Sequence, residues 1–170
     1  VTGIYSVEIT NSAGCSITSV PKALQTIDLI KGWNLISTNI NTPDSSIATI
    51  FNGIDVQEIK NMDAFWRKGQ NIIFNSLSKL SAGKGYLVQM NSDGKLSIFG
   101  SILKTPKIII SSTNKGWSLI GCPFQYLAPF SDYFNSTNCS IIKNFDGFWI
   151  PDGTANSIQN IEPNKGYFLK

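Results

Sequence analysis

The chain has 170 residues, of which 42% are hydrophobic and 15% are charged, and its formal net charge is +3. This composition excludes a disordered chain, and the scattered lysines, which form no basic run, argue against a nucleic-acid partner. The sequence has no histidine, and no apolar stretch approaches the roughly 20 residues of a membrane-spanning helix. We therefore expect no histidine-dependent catalysis, no nucleic-acid partner and no membrane insertion.

Residues 1–20 predict a β-hairpin. Tyr5, Val7 and Ile9 alternate with polar residues, and the sequence Asn-Ser-Ala-Gly that follows is typical of a turn. This segment has no counterpart later in the chain, so we assign it to a separate unit. Because the chain begins with Val1 rather than methionine, we expect it to be a piece of a larger or processed protein.

The next segment predicts several short strands and one short helix. β-branched residues surround a Lys-Gly pair at Lys31, which indicates a turn between two strands. The sequence TPDSSIATIFNG predicts a helix with Thr42 as N-cap and Pro43 as its first residue, ended by Gly53. Later in the chain, KIIISSTNKGWSLIG predicts a second hairpin, and LAPFSDYFN predicts a second short helix that starts at Pro129.

Three sequence blocks occur twice, in the same order. The pairs are KGWNLI and KGWSLI, IKNMDAFW and IKNFDGFW, and GKGYLV and NKGYFL, at offsets of 84, 83 and 81 residues. We therefore expect two tandem all-β repeats of barrel or sandwich-like form, residues 23–100 and 101–170, each with one short helix. A unit of this size is marginal alone, so we expect the two to pack as one pseudo-symmetric body.

The end of the first repeat has no counterpart in the second. Residues 91–100 predict a hairpin that closes repeat one, whereas repeat two stops after NKGYFLK. We therefore expect an open edge beside the strand at residues 167–169. Either the parent chain continues there, or a strand of another chain, such as residues 5–9, pairs with that edge.

The repeated hairpins contain the candidate ligand-binding residues. Trp66 and Trp149 each follow a phenylalanine, and adjacent strand residues point to opposite faces of a sheet. An exposed tryptophan would offer a stacking surface for a sugar, whereas a buried one would only pack. Arg67 and the turn residues Asp63 and Asp146 complete the set, with the alternative that the aspartates only stabilise their turns.

The lysines before these turns, Lys60 and Lys143, have acidic residues close by in the hairpins. We predict that they pair with Asp63 and Asp146, in exposed ion pairs worth about 0–1 kcal/mol. The acidic residues of the chain are spread thinly, and no carboxylate pair recurs in both repeats. We therefore expect no enzyme activity and no cofactor.

The doubled pattern GWNLIS…IKN…FW…GKGYLV resembles paired β modules in large secreted and cell-surface proteins of Bacteroidota-type bacteria. The opening GIYSVEITNSAGCS is similar to the end of the immunoglobulin-like (Ig-like) repeats that precede such modules. The resemblance covers nearly the whole chain and implies export, by a type IX route, to the cell surface or the extracellular space. It implies no catalytic residues, and it implies an upstream Ig-like domain in the same parent chain.

The cysteines suggest one covalent link. Cys122 and Cys139 both lie in repeat two, whereas Thr38 and Val56 stand at the matching positions of repeat one. Their joint presence in an exported chain predicts a disulfide, which would close a loop of about 18 residues and add roughly 3 kcal/mol. Cys15 then remains, with a partner expected in the upstream Ig-like domain.

These observations favour a non-catalytic structural or adhesive module of a secreted or cell-surface protein. The alternative is a carbohydrate-binding accessory module of an exported glycoside hydrolase. In both cases the expected partner is a cell-surface or extracellular glycan or protein. Exposure of Trp66 or Trp149 beside polar residues would favour the carbohydrate-binding module, and burial of both would favour the structural one.

Overall fold

The computed structural model describes residues 3–108, 110 and 116–170. In this part of the chain the protein is predominantly β, with antiparallel sheets and one α-helix, α1 (Ile47–Ile50). The predicted all-β class is therefore confirmed. No helix within the described ranges is long and apolar enough to cross a membrane. The hairpin predicted from KIIISSTNKGWSLIG includes residues outside the described part of the chain.

The N-terminal segment forms the predicted hairpin and also joins the rest of the protein. Strands β2 (Glu8–Thr10) and β3 (Ser16–Thr18) pair antiparallel, with Ile9 opposite Ile17. The Asn11 side chain closes the turn by accepting hydrogen bonds from the N–H groups of Ala13 and Cys15. Strand β1 (Gly3–Tyr5) pairs instead with β4 (Lys22–Leu29) and becomes the edge of a larger sheet.

The first unit, residues 22–102, forms two four-stranded sheets together with β1. Its other strands are β5 (Gly32–Ser37), β6 (Ile40–Asn41), β7 (Val56–Lys60), β8 (Phe65–Arg67), β9 (Gly85–Met90) and β10 (Gly94–Ile102). The sheet orders are β1-β4-β10-β6 and β5-β9-β7-β8. Buried side chains from both sheets and from α1 form one core, because the alternating strands each turn an apolar face inward.

The second unit, residues 103–170, has shorter strands. They are β11 (Ser118–Gly121), β12 (Ala128–Pro129), β13 (Ile142–Lys143), β14 (Phe148–Trp149), β15 (Asn160–Ile161) and β16 (Gly166–Leu169). The main sheet has the order β11-β16-β13-β14, and β12 pairs with β15. The sheet β5-β9-β7-β8 is the main sheet of the first unit. When the four strands of each main sheet are numbered along the chain, both sheets have the order first, last, second, third. A second core of aromatic, aliphatic and cysteine side chains supports this sheet.

Two helix predictions are corrected, and of the two forms expected for the repeats the barrel is not found. The sheets of the described residues are open, so none of them closes into a barrel. Helix α1 begins at Ile47 with Ser46 as N-cap, not at Pro43, because the Ser46 hydroxyl accepts a hydrogen bond from the Thr49 N–H. In the second unit the helical element is a 3-10 helix, Phe130–Asp132, rather than an α-helix.

The predicted open edge beside residues 167–169 is also wrong. Strand β16, which contains these residues, pairs with β11 on one side and with β13 on the other. Both of its edges are therefore filled by strands of the same unit. In the first unit the matching strand, β9, is likewise an inner strand, because it pairs with both β5 and β7.

The two units meet through reciprocal main-chain hydrogen bonds. The N–H of Ser37 donates to the carbonyl of Asn164 (2.9 Å), and the N–H of Gly121 donates to the carbonyl of Gly83 (3.1 Å). Ser37 and Gly121 hold the same place in the two GW blocks, and Gly83 and Asn164 hold the same place before the two KGY blocks. The contact is thus self-complementary, like the interface of a twofold dimer.

The seam between the units is closed by glycines and by one buried amide. A Cβ at Gly85 would lie 2.5 Å from the Ile120 carbonyl oxygen, and one at Gly166 would lie 2.8 Å from that of Ile36. Beside the seam, the fully buried Gln25 donates its amide N–H to Asn164 Oδ1 at 2.7 Å. The amide reaches across the seam because the glycines allow the backbones to approach so closely.

The predicted disulfide between Cys122 and Cys139 is not formed. Both residues are free thiols buried in the second core, and Cys15 is free and exposed. The Cys122 thiol donates instead to the carbonyl of Phe124, 3.6 Å away. The joint presence of the two cysteines therefore reflects packing, because a free cysteine behaves as a small apolar residue.

This assignment predicts a distinct thiol reactivity. Burial raises the pKa of Cys122 and of Cys139 to about 11, so that roughly one thiol in a thousand is ionised at pH 8. We expect only Cys15 to react rapidly with Ellman's reagent in the folded protein, and all three cysteines to react after unfolding without reductant. If Cys15 alone reacted after unfolding, Cys122 and Cys139 would have to be joined by a disulfide, and this assignment would be wrong.

Candidate functional site

The two FW hairpins, which contain the predicted ligand residues, are closed by asparagines. Asn61 Oδ1 accepts hydrogen bonds from the N–H groups of Asp63 (2.9 Å) and Ala64 (2.8 Å). Asn144 Oδ1 accepts from Asp146 (2.8 Å) and Gly147 (3.0 Å). The repeated asparagine therefore shapes each turn, and the side chains of Asp63 and Asp146 lie exposed at the two tips.

A second repeated pair of polar residues holds the outer strand of each hairpin. Ser76 Oγ accepts from the Phe65 N–H, and the matching Ser157 Oγ accepts from the Phe148 N–H, at 3.0 and 2.9 Å. The asparagine before each serine bonds the same strand two residues further on. The sequence analysis did not predict these Asn-Ser contacts, although the Asn-Ser pair itself recurs, in NSL and NSI, at an offset of 81 residues.

The two candidate tryptophans have different environments. Trp149 is only 5% exposed and packs on Phe130, with ring centroids 5.6 Å apart. It has no open face for a sugar, which corrects its candidate role. Trp66 is half-buried against the first core and borders a cavity of about 390 Å³ beside α1. On the strands of the two hairpins the exposed rings are Phe65 and Phe148, and Phe145 is exposed in the turn of the second hairpin.

Two of the charged candidates, Arg67 and Asp146, take part in ion pairs. Arg67 binds Glu58 across the β7–β8 pair, with Nη2 2.6 Å from Oε2. Asp146 binds Lys165 at 2.9 Å, and this hydrogen bond raises the pKa of the Lys165 ammonium. Arg67 therefore pairs with Glu58 across the hairpin. Asp146 pairs with Lys165, which lies next to the seam between the units.

Both hairpin lysines make cation–π contacts, and Lys60 also pairs with Glu58, with Nζ 3.7 Å from Oε1. Lys60 Nζ lies 4.2 Å from the ring centroid of Trp33, and Lys143 Nζ lies 4.6 Å from that of Trp117. These four residues hold matching places in the two units, and Lys143 lies over an indole while Asp146 binds Lys165. Such contacts stabilise a partly exposed pair by about 0.5–1 kcal/mol.

The repeated tyrosines bond the turns that precede them. Tyr86 is 1% exposed, and its hydroxyl accepts a hydrogen bond from the Ser81 N–H at 2.7 Å. Tyr167 is fully buried, and its hydroxyl accepts from the Glu162 N–H at 3.0 Å and donates to the Asn160 carbonyl. Burial raises the pKa of both phenols. Their role is therefore structural.

A groove of about 440 Å³ lies between the units and contains residues from both. Trp33 and Ile30 line it from the first unit, and Phe145 lines it from the second. Ile30 and Phe145 are 64% and 60% exposed. Residues of both units line the groove, so neither unit contains the whole site.

Polar groups converge on the same groove. Asp28 lines it from the first unit, and Asn144 and the Asp146–Lys165 ion pair line it from the second. A concave site of this volume with aromatic rings and a few hydrogen-bonding groups is typical of small-ligand binding. Aromatic rings stack on apolar sugar faces, and carboxylates and amides bind hydroxyl groups. The groove is therefore the candidate ligand site of the described residues.

Comparisons of the chain with protein-family models, with curated proteins and with solved structures found no match. The inter-unit groove is therefore interpreted from its own residues. Within the described ranges no three cysteine or acidic side chains come together as a metal site would require.

The buried hydroxyl of Tyr167 leads to a stability prediction. In Tyr167→Phe the N–H of Glu162 loses its acceptor, and we expect a loss of about 1–3 kcal/mol in the free energy of unfolding. Tyr126, which is 60% exposed, is the matched control, and Tyr126→Phe should change stability by less than about 0.5 kcal/mol. Urea denaturation measures both values. Equal stabilities of the two variants would show that the Tyr167 hydroxyl is dispensable.

Proposed function

We propose that this chain is a non-catalytic structural or adhesive module of a secreted or cell-surface protein. The observation that supports it is the joining of the two units by reciprocal main-chain bonds, with Ser37 bonded to Asn164 and Gly121 bonded to Gly83. A seam of this kind makes one stiff body, which suits a segment that spaces or presents other parts of a surface protein.

The use of the repeated residues supports the same proposal. Trp117, Tyr86 and Trp149 take part in packing or internal hydrogen bonds, as do the asparagines of both turns. We infer that the two units are tandem copies of one β unit, because the same roles recur at matching positions and the main sheets share one strand order. Sequence repetition then reflects a shared architecture.

The N-terminal hairpin supports an Ig-like neighbour in the same parent chain. Val7, Ile9 and Ile17 lie 62%, 65% and 71% exposed, on one face of the hairpin, while the other face is polar. A two-stranded hairpin with a bare apolar face is marginal alone. Packing against the sheet of an upstream domain would cover this face, as in a β-sandwich.

The stiff-body proposal predicts cooperative unfolding. We expect calorimetry to record one transition for the whole chain, with equal calorimetric and van't Hoff enthalpies. In Gly121→Ala the new Cβ would lie 2.5 Å from Ser37 Cβ, so the seam must open and stability should fall by about 1–3 kcal/mol.

Gly94→Ala is the matched control for the seam variant. Its Cβ would meet the flexible end of Met90 at 3.3 Å and the Ile54 side chain at 3.9 Å, and no backbone atom, so a smaller change is expected. Two independent transitions in the unmodified chain would refute the single stiff body. So would a Gly121→Ala variant as stable as the unmodified chain.

A second candidate function is a carbohydrate-binding accessory module of an exported glycoside hydrolase. The inter-unit groove favours it, because Trp33 and Phe145 lie there beside Asp28, Asn144 and the Asp146–Lys165 pair. The groove replaces Trp149 as the candidate sugar contact. The ligand class is a neutral glycan, since the groove holds both carboxylates and an ammonium group.

A glycan array with the intact chain tests this second function. We expect Phe145→Ala to weaken binding to any neutral glycan hit at least five-fold, which corresponds to about 1 kcal/mol of lost stacking. Phe74→Ala removes an exposed phenylalanine outside the groove and should leave binding unchanged. Absence of any glycan hit would remove the carbohydrate-binding function and leave the structural one standing.

A further inference from the structure

A cavity of about 390 Å³ lies beside α1 in the first unit. The buried side chains of Ile47, Phe51 and Val56 line it, together with the half-buried Trp66. We call it the Trp66 cavity. It shares no lining residue with the inter-unit groove. The cavity is therefore a separate concave site, and its apolar wall includes one indole ring.

The second unit shows that the fold does not require a partly exposed tryptophan at this place. An offset of 83 residues puts Phe130 at the position of Ile47 and Trp149 at the position of Trp66. Phe130 packs on Trp149, with ring centroids 5.6 Å apart, and leaves it only 5% exposed. In the first unit an isoleucine stands in place of that phenylalanine, and Trp66 borders the cavity. The same architecture thus covers one tryptophan and leaves the other accessible.

Two side chains of opposite charge also line the Trp66 cavity. Lys68 Nζ lies 3.8 Å from Asp55 Oδ1, and both side chains are more than half exposed. The Asn91 amide donates to Asp55 Oδ1 at 3.0 Å, and the Ser92 hydroxyl donates to Asp55 Oδ2 at 3.2 Å. These bonds, that from Asn91 most strongly, lower the pKa of the Asp55 carboxyl. The carboxylate is therefore ionised at neutral pH and held in place.

This charged pair belongs to the first unit alone. Asn138 and Pro151 stand at the positions of Asp55 and Lys68 in the second unit. The unit with the accessible tryptophan is thus also the unit with the charged pair. A carboxylate only accepts hydrogen bonds and an ammonium group only donates them, and their charges cancel. The pair therefore favours a neutral ligand that has both donors and acceptors.

We propose that the Trp66 cavity binds a neutral pyranose ring. The apolar C–H face of the sugar stacks on the indole, its hydroxyl groups donate to Asp55, and its hydroxyl oxygens accept from Lys68. A purely apolar ligand would displace water from the two charged groups without replacing its hydrogen bonds, which is costly. The site goes beyond the structural function, and it does not depend on sugar binding in the inter-unit groove.

Saturation-transfer NMR with the full chain tests the proposal. The probes are the methyl pyranosides of glucose, galactose, mannose and N-acetylglucosamine. We expect at least one to bind with a Kd on the order of millimolar, as a ligand of this size allows. Saturation should be strongest at the ring protons of one sugar face, which contacts the indole. Absence of saturation transfer to all four probes overturns the proposal.

Two variants that copy the second unit assign the site. Ile47→Phe introduces the larger residue found there, and we expect it to weaken binding at least about ten-fold by filling the cavity. Asp55→Asn also introduces the residue of the second unit, and we expect it to weaken binding about five-fold because a charged acceptor is lost. Asp152→Asn is the matched control. It removes the same charge at an exposed position whose φ of 60° suits asparagine, and it should bind like the unmodified chain.

The inter-unit groove is separated from the Trp66 cavity by one further variant. Phe145→Ala changes the groove only, so we expect it to leave this binding unchanged. Weakened binding in Phe145→Ala with full binding in Asp55→Asn would put the sugar in the groove, which overturns this proposal and leaves the second candidate function standing. If Ile47→Phe fails to fold, Asp55→Asn decides alone, and its full binding overturns the proposal.

Discussion

The close approach of two backbones at the seam is the constraint on which the rest of the structure depends. Main-chain hydrogen bonds cross between the units only because Gly85, Gly121 and Gly166 have no side chain; any Cβ there would lie within 3 Å of the other unit. The inter-unit groove follows from this contact, since Trp33 of one unit lies near Phe145 of the other. The proposed stiffness and the candidate sugar site thus have one structural origin.

Comparison of the two units separates architecture from candidate function. Where the units agree, the residues serve the fold: an ammonium group lies over an indole, a tyrosine hydroxyl bonds a turn, and an asparagine closes each hairpin. Where they differ, Phe145 of the second unit lies at the inter-unit groove, and Met62 stands at the matching position of the first unit. This difference supports the proposal of a carbohydrate-binding site.

Much of the fold was predictable because the relevant signals are local. Alternation of apolar residues indicated the hairpin of residues 1–20, and β-branched runs indicated the all-β class. The predicted start of α1 is wrong because Thr42 and Ser46 are both good N-caps. The burial of Ile47 in the core selects Ser46 as the N-cap. The predicted Cys122–Cys139 disulfide is wrong because, in a sequence, two cysteines that are only buried in one core look the same as two that form a disulfide.

The sequence by itself determined the class of structure, the candidate repeat pattern and the hairpins, since strand periodicity and turn chemistry act between neighbouring residues. The tertiary structure alone decided that Trp149 is buried, that both edges of β16 are filled, and that Phe145 and Trp33 share a groove. The physical reason is that alternation specifies two faces for each strand. Which face is covered, and which edge is paired, depends on segments far away along the chain.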